Sequence, residues 1–477
     1  MRSGVTGCPD FHRDVCDDHR RFPASLSRMR QSLTAALLCG VTTLAAANDL
    51  PLAAGTWVSP QPAQAIGLAI SARDGVVVGV NRNPGSGFPS GAGELQFWPA
   101  GASSSPQIES LGGTLRAFAA DATGNGRWIA GGDFGVRLST ADGSAIGSSL
   151  PVTALIGAPD RVTLCGGYFA VLRAAQVGLY TTAGVLQGQF TVAATRVEDV
   201  ACEADGSRVY VTGDRQLTST LRMVYAEAYS PSGTRLWRAW GHSAADAQTA
   251  NSLADTDGRR ILRAADGGLY VAARTDGGNN VFRFQPQNLA QNATNVAFDA
   301  HNQTSQLSGA PSLGYYARLD PSTGALVRGQ YVLSRLSNGN GNSVGLDALA
   351  VAADGALVVG GQAFANLANR AALTVAGQPI GAYSGSDPYL LVVPPAFTSR
   401  RYWHPPTGES GRGITRAVAS RAGVTAMLVE ASQGRMIMVN AAIPFSALGF
   451  TPASATPGVW LGITGSPRLF ASGFEAN

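Results

Sequence analysis

The chain has 477 residues, 59 of them glycine and 25 proline, and only 14% of its side chains are charged. That composition excludes a helical protein, which would be richer in Glu, Lys and Leu, and 45% hydrophobic content excludes disorder for the bulk of the chain. Its 35 basic residues are all arginine, give a net charge of +4, and form no cluster beyond the N-terminus, which excludes a nucleic-acid partner.

Taken from the start, residues 1–30 hold six arginines and four aspartates, and residues 1–28 match no export signal. They read as an upstream extension of a chain that starts at Met29. Met29-Arg30, the apolar run 33–44 and Ala45-Ala46-Ala47 then make a signal peptide over 29–47, cleaved after Ala47. The apolar run is shorter than the ~20 residues of a membrane span, and no later segment approaches that length. The mature protein is therefore expected outside the cytoplasm: periplasmic, cell-surface or secreted. Export removes Cys8, Cys16 and Cys39. It leaves Cys165 and Cys202, each at the end of a first strand just before its turn. In an oxidising compartment these two are expected to form a disulfide, against the alternative of two buried thiols.

The mature chain repeats one phrase. Its clearest copy is residues 347–361, DALAVAADGALVVGG: an apolar strand, a tight Asp-Gly turn, a second apolar strand and two glycines. This is a β-hairpin apolar on both faces, so both faces must be covered. Inner hairpins of this kind are predicted near 66–80, 116–132, 161–173, 197–213, 261–273, 348–361 and 413–430. Outer strands of a second type lie between them, for example 223–229 and 315–319, each followed by a Pro-Ser-(Thr)-Gly turn and another strand. The pattern is an all-β protein, a β-propeller of seven four-stranded blades. Each unit is longer than the ~40–45 residues of a compact blade, so loops hold the excess. The plainest insertion is 286–314, which lacks apolar periodicity.

The units at 222–273 and 314–361, with 386–393, resemble the repeats of bacterial exported seven-bladed β-propeller (SBBP-type) proteins. The resemblance implies an exported propeller and attaches no single activity to it. The ending 469–475 (LFASGFE) is similar to the Gly-Phe-Glu tails of exported proteins of Gram-negative bacteria. Residues 48–399 are thus assigned to blades, 400–463 to a last blade and 464–477 to a tail. Trp403-His404-Pro405-Pro406 with 408–413 (GESGRG) also resembles small exported β modules. This leaves a second arrangement open, six blades plus a C-terminal module.

Catalytic motifs are sparse. Around Ser410, Arg412 stands where a nucleophile elbow needs glycine, and no helix follows. The mature chain keeps His242, His301 and His404, none at metal-ligand spacing, so no transition metal is expected. Asp255 and Asp257 beside Gly258 resemble part of a calcium loop, as turn-forming residues also would. Trp237 echoes a quinoprotein docking repeat but occurs in one unit alone, so no quinone cofactor is assigned. The strongest binding candidates are Arg401, Tyr402, Trp403, His404, Glu409 and Arg412, where aromatics beside arginines can stack on sugars or grip carboxylates.

Two functions stand. One is an exported, non-catalytic binding or scaffold module, monomeric, with a protein or carbohydrate ligand. The other is a propeller hydrolase or lyase acting on an extracellular carbohydrate or ester. Carboxylates clustered at one mouth of the channel would favour the second.

Overall fold

The computed structural model describes the chain from Asp49 to Thr464 except residues 51–54, 59–62, 83–90, 99–105, 278, 298–311, 337, 339, 366–373, 376–377, 380–385, 398–401, 405–411, 434, 439–440 and 445–457. The expected extension and signal peptide (1–47) and the tail motif lie outside the described residues. The described residues form one compact unit. No helix among the described residues is long and apolar enough to cross a membrane.

The protein is a β-propeller. Seven strands surround an axis: Ala63–Ile70, Leu115–Ala120, Arg161–Cys165, Arg196–Cys202, Thr256–Arg263, Val344–Val351 and Arg412–Arg421. Each touches the next, and the last touches the first. Each also begins an antiparallel sheet that runs outward, and we number these sheets blades one to seven. Every inner hairpin read from the sequence is the first strand pair of a blade.

Six sheets have four strands. Blade five has a fifth, because the short Val296–Ala297 strand pairs in parallel with Leu326–Val332. The expected all-β propeller of four-stranded blades is present, with six sheets of four strands and one that carries an added strand. The insertion that carries this strand lacks apolar periodicity because polar bonds anchor it. Asn295 donates its side-chain amide to the carbonyls of Leu326 and Val327, and its own carbonyl accepts the Gly329 N–H. Small two- and three-stranded sheets decorate the loops.

The core lies between blades rather than within one. Val76, Val77, Val78 and Val80 of blade one are all buried, so both faces of that sheet are covered. Leu68 and Val78 share a cluster with Ala417 and Leu428 of blade seven, while Ala69 and Val77 pack with Leu115 and Trp128 of blade two. Each fully buried Val or Leu contributes about 1.5–3 kcal/mol. The outermost strands, such as Gln107–Ser110, are mostly exposed and polar.

Six of the seven innermost strands carry a β-bulge. The residues left out of the ladder are Ile66, Arg116, Glu198, Arg259, Asp347 and Arg416. In the clearest copy of the phrase, the paired glycines of the second strand stand across from the bulge. A Cβ at Gly361 would lie 1.9 Å from the Gly345 carbonyl oxygen, and one at Gly360 would lie 2.6 Å from Thr415 Cγ2 of the next blade. The repeated Gly-Gly is a steric demand of the bulge and of blade-to-blade contact.

The ends of the chain close the ring. Gly55–Val58 pairs antiparallel with Gly458–Thr464, with Thr56 opposite Gly462 and Trp57 opposite Leu461. Gly458–Thr464 also pairs with Val424–Gln433. The last blade therefore takes three strands from one end of the chain and its outermost strand from the other, as the apolar character of both segments predicts. Deleting residues 457–477 unpairs two strands of this blade and should cost several kcal/mol. A lowered melting temperature is expected, and an unchanged one would contradict this closure.

Cys165 and Cys202 join blades three and four, with sulfurs 2.00 Å and Cα atoms 5.9 Å apart across a separation of 37 residues. A loop of that size stabilises by about 4 kcal/mol through the unfolded chain. The Cys165→Ser/Cys202→Ser protein is expected to melt well below wild type, and reductant should lower the wild-type transition alone. Equal melting curves with and without reductant would contradict the bridge.

Candidate functional site: the axial channel

The seven innermost strands enclose a channel of about 230 Å³. It stays open because small side chains line much of it, including Ala117, Ala119, Ala348, Ala350, Ala417 and Ala419. Among them stands a set of charged residues on neighbouring blades: Arg161, Asp199, Arg260 and Asp347.

The bulges explain how these charges are held. A bulged residue leaves its peptide groups outside the ladder, and a buried peptide group needs a partner. Arg161 of blade three donates from Nε to the Glu198 carbonyl, at the bulge of blade four, at 3.0 Å. Its Nη1 donates to the Asp160 carbonyl at 3.0 Å. Arg260 of blade five donates from Nε to the Asp347 carbonyl, at the bulge of blade six, and from Nη1 to the Arg259 carbonyl at 3.1 Å. Between these two arginines in the series of blades, Asp199 of blade four accepts the Ile261 N–H at 3.1 Å. Blades seven and one are joined similarly: Glu430 accepts the Ala65 N–H at 3.1 Å and pairs with Arg416 at 3.2 Å.

Burial dominates the electrostatics of Asp199 and Arg260. It pushes the Asp199 carboxyl above its ordinary pKa, and the nearby positive charges of Arg260 and Arg161 offset only part of the shift. Burial also lowers the Arg260 guanidinium, with Asp199 acting against it. Both side chains open onto the channel, yet protein surrounds them closely enough to remove most of their hydration.

Other carboxylates near the starts of the innermost strands in blades four and five are held by arginine. Arg196 bridges Asp214 and Glu198, both at 2.8 Å. Asp257 pairs with Arg259 at 2.6 Å and Arg274 at 2.7 Å, and Asp255 pairs with Arg222 at 2.7 Å. The two aspartates singled out for calcium thus have guanidinium partners. Among the described residues, no three His, Cys, Asp or Glu side chains converge as a metal site would require.

The residues chosen from the sequence as a binding cluster fall on two strands. Tyr402, Trp403 and His404 form the outermost strand of blade six, with Trp403 opposite Leu391 and His404 opposite Leu390. Arg412 begins the innermost strand of blade seven. Arg401 and Glu409 lie outside the described residues. Trp237 does dock on a neighbouring blade: its Nε1 donates to the Pro321 carbonyl at 3.0 Å, in the Pro-Ser-Thr-Gly turn of blade five. Sequence reasoning missed Arg161, Asp199 and Arg260. The available signal was a charge in the first strand of an inner hairpin, as in RVTLC, EDVAC and RRILR, although LRAFAA, VGLDALAV and RGITRAVASR carry charges there too.

No family model matches the chain, and no curated protein matches it. Among solved structures it is similar to the crystal structure of the WD40 β-propeller domain of Doa1. That match has a TM-score of 0.47 and 9% identity, and covers 89% of this chain and 99% of that one.

The raised carboxyl of Asp199 has a consequence for stability. A carboxyl with a folded pKa above its unfolded value of about 3.9 favours folding in its protonated form. Its contribution is full below that unfolded value and is lost as pH rises through the raised one. Asp199→Asn keeps an oxygen for the Ile261 N–H and carries no charge. It is expected to melt at or above wild type at neutral pH, with the gap narrowing toward pH 4. A lower melting temperature for the variant at neutral pH would contradict the dominance of burial.

Proposed function

We propose that this β-propeller is an exported, non-catalytic binding module of the bacterial SBBP-type class, working in the periplasm, at the cell surface or outside the cell. Export rests on the signal-peptide pattern at 29–47, and a disulfide between buried cysteines suits an oxidising compartment. The observation that carries the binding reading is the state of the carboxylates around the channel. Asp214, Glu198, Asp257, Asp255 and Glu430 are each paired with an arginine, which occupies their oxygens and fixes them in place as parts of the wall. A rigid ring with an open, partly charged axis offers shape and charge to a ligand without any moving part.

One residue favours the second reading, a hydrolase or lyase of an extracellular carbohydrate or ester. A raised carboxyl such as that of Asp199 is what a general acid needs. Its carboxyl accepts from a backbone N–H, and no side-chain hydrogen bond joins it to a second carboxylate or a nucleophile among the described residues, which ranks this reading below the first.

The test has two parts. Expressed in a Gram-negative host, the full chain should appear outside the cytoplasm with its N-terminus near Asn48; intact residues 1–28 on the exported protein would overturn the start-site and signal-peptide assignments, and retention in the cytoplasm would overturn export. The purified protein should give no turnover on a panel of esters and polysaccharides. Turnover abolished by Asp199→Asn would replace the binding reading with the catalytic one.

A further inference from the structure

Three of the six arginines that line the channel have a carboxylate partner, and Arg127 donates to the Gly166 carbonyl. Arg116 pairs with Asp133 and Asp160, Arg416 with Glu430, and Arg421 with Asp74. Arg161 and Arg260 differ. Neither forms an ion pair with a carboxylate among the described residues, and both are instead held by backbone carbonyls through Nε and Nη1. A guanidinium has five N–H donors, so each keeps its Nη2 donors, for which no protein acceptor appears among the described residues. Asp199, on the blade between them, is near enough to feel both charges but is itself bonded to a backbone N–H.

The geometry points to a ligand site: the axial channel binds a compact organic acid through its carboxylate, held by the Nη2 donors of Arg161 and Arg260. This rests on the binding-module reading and names its ligand class. Four observations carry it. The two guanidinium groups are fixed in advance by carbonyls, so little side-chain freedom is lost on binding. Guanidinium matches carboxylate in a two-bonded, planar geometry. The surroundings strip water from the Arg260 charge, and an incoming anion restores to that guanidinium what burial removed. The channel volume of about 230 Å³ suits a small molecule rather than a polymer strand. Asp199 then acts as an opposing charge: ionised, it competes with the ligand for the arginines.

Isothermal titration of the purified full chain with malonate and citrate, and in parallel with inorganic phosphate, tests this. Saturable carboxylate binding is expected. Arg161→Gln and Arg260→Gln should each weaken it by about tenfold to a hundredfold, the worth of a hydrogen bond between charged groups. Because either arginine also supports a bulge, Asp199→Asn provides an independent arm. It leaves both arginines in place and should tighten binding by removing the competing charge. No saturation by either carboxylate in a cooperatively melting protein would overturn the proposal. Phosphate binding alone, unchanged affinity in folded arginine variants, or unchanged affinity in Asp199→Asn would do the same. Failure here leaves the binding-module reading standing, since only turnover that depends on Asp199 removes that reading.

Discussion

Everything in this molecule follows from sheets that are apolar on both faces. A blade such as 63–110 cannot exist alone in water, because Val77 points to one neighbour and Val78 to the other. The only arrangement that covers every face without a terminal blade is a closed ring. Closure then makes demands on the chain. Its two ends must meet in one sheet, as Gly55–Val58 and Gly458–Thr464 do. The innermost strands must crowd around an axis, and that crowding is met by small residues.

The β-bulge links this packing to the channel. It twists the first hairpin of a blade and fixes where glycine must stand in the second strand. It also leaves peptide groups near the axis that need partners. Arg161 and Arg260 answer that need across blade boundaries, and in doing so bring positive charge to the channel wall. The proposed binding role therefore falls on side chains that already have a structural one. The charges are not decoration on a finished scaffold, since the scaffold's own unmet carbonyls hold them there.

The hairpins were legible because a two-residue period and an Asp-Gly turn are local signals, written out in DALAVAADGALVVGG. The bridge between Cys165 and Cys202 was legible because both residues occupy the same place in successive copies. Closure was legible from two apolar strands left over at the ends. The channel was not. A bulge adds one residue to one strand and shifts every side chain after it, so alternation in the sequence does not say whether Asp199 or Glu198 faces the axis. The fifth strand of blade five escaped for a different reason, as Asn295 holds it by side-chain bonds that leave no periodic trace. The aromatic and arginine cluster around Trp403 stood out by composition, which says nothing about which strand of a blade a residue occupies.

The central claim is that seven sheets stabilise one another as one closed cooperative body. Native-state hydrogen exchange under increasing denaturant tests it most directly, because it reads the opening free energy of each strand separately. The account predicts that amides of all seven inner hairpins, together with those of Gly458–Thr464, converge on one common opening free energy. If the sheet of residues 412–464 opened well before the others, while the remaining six kept their protection, the ring would not be the unit of stability and the account would fail.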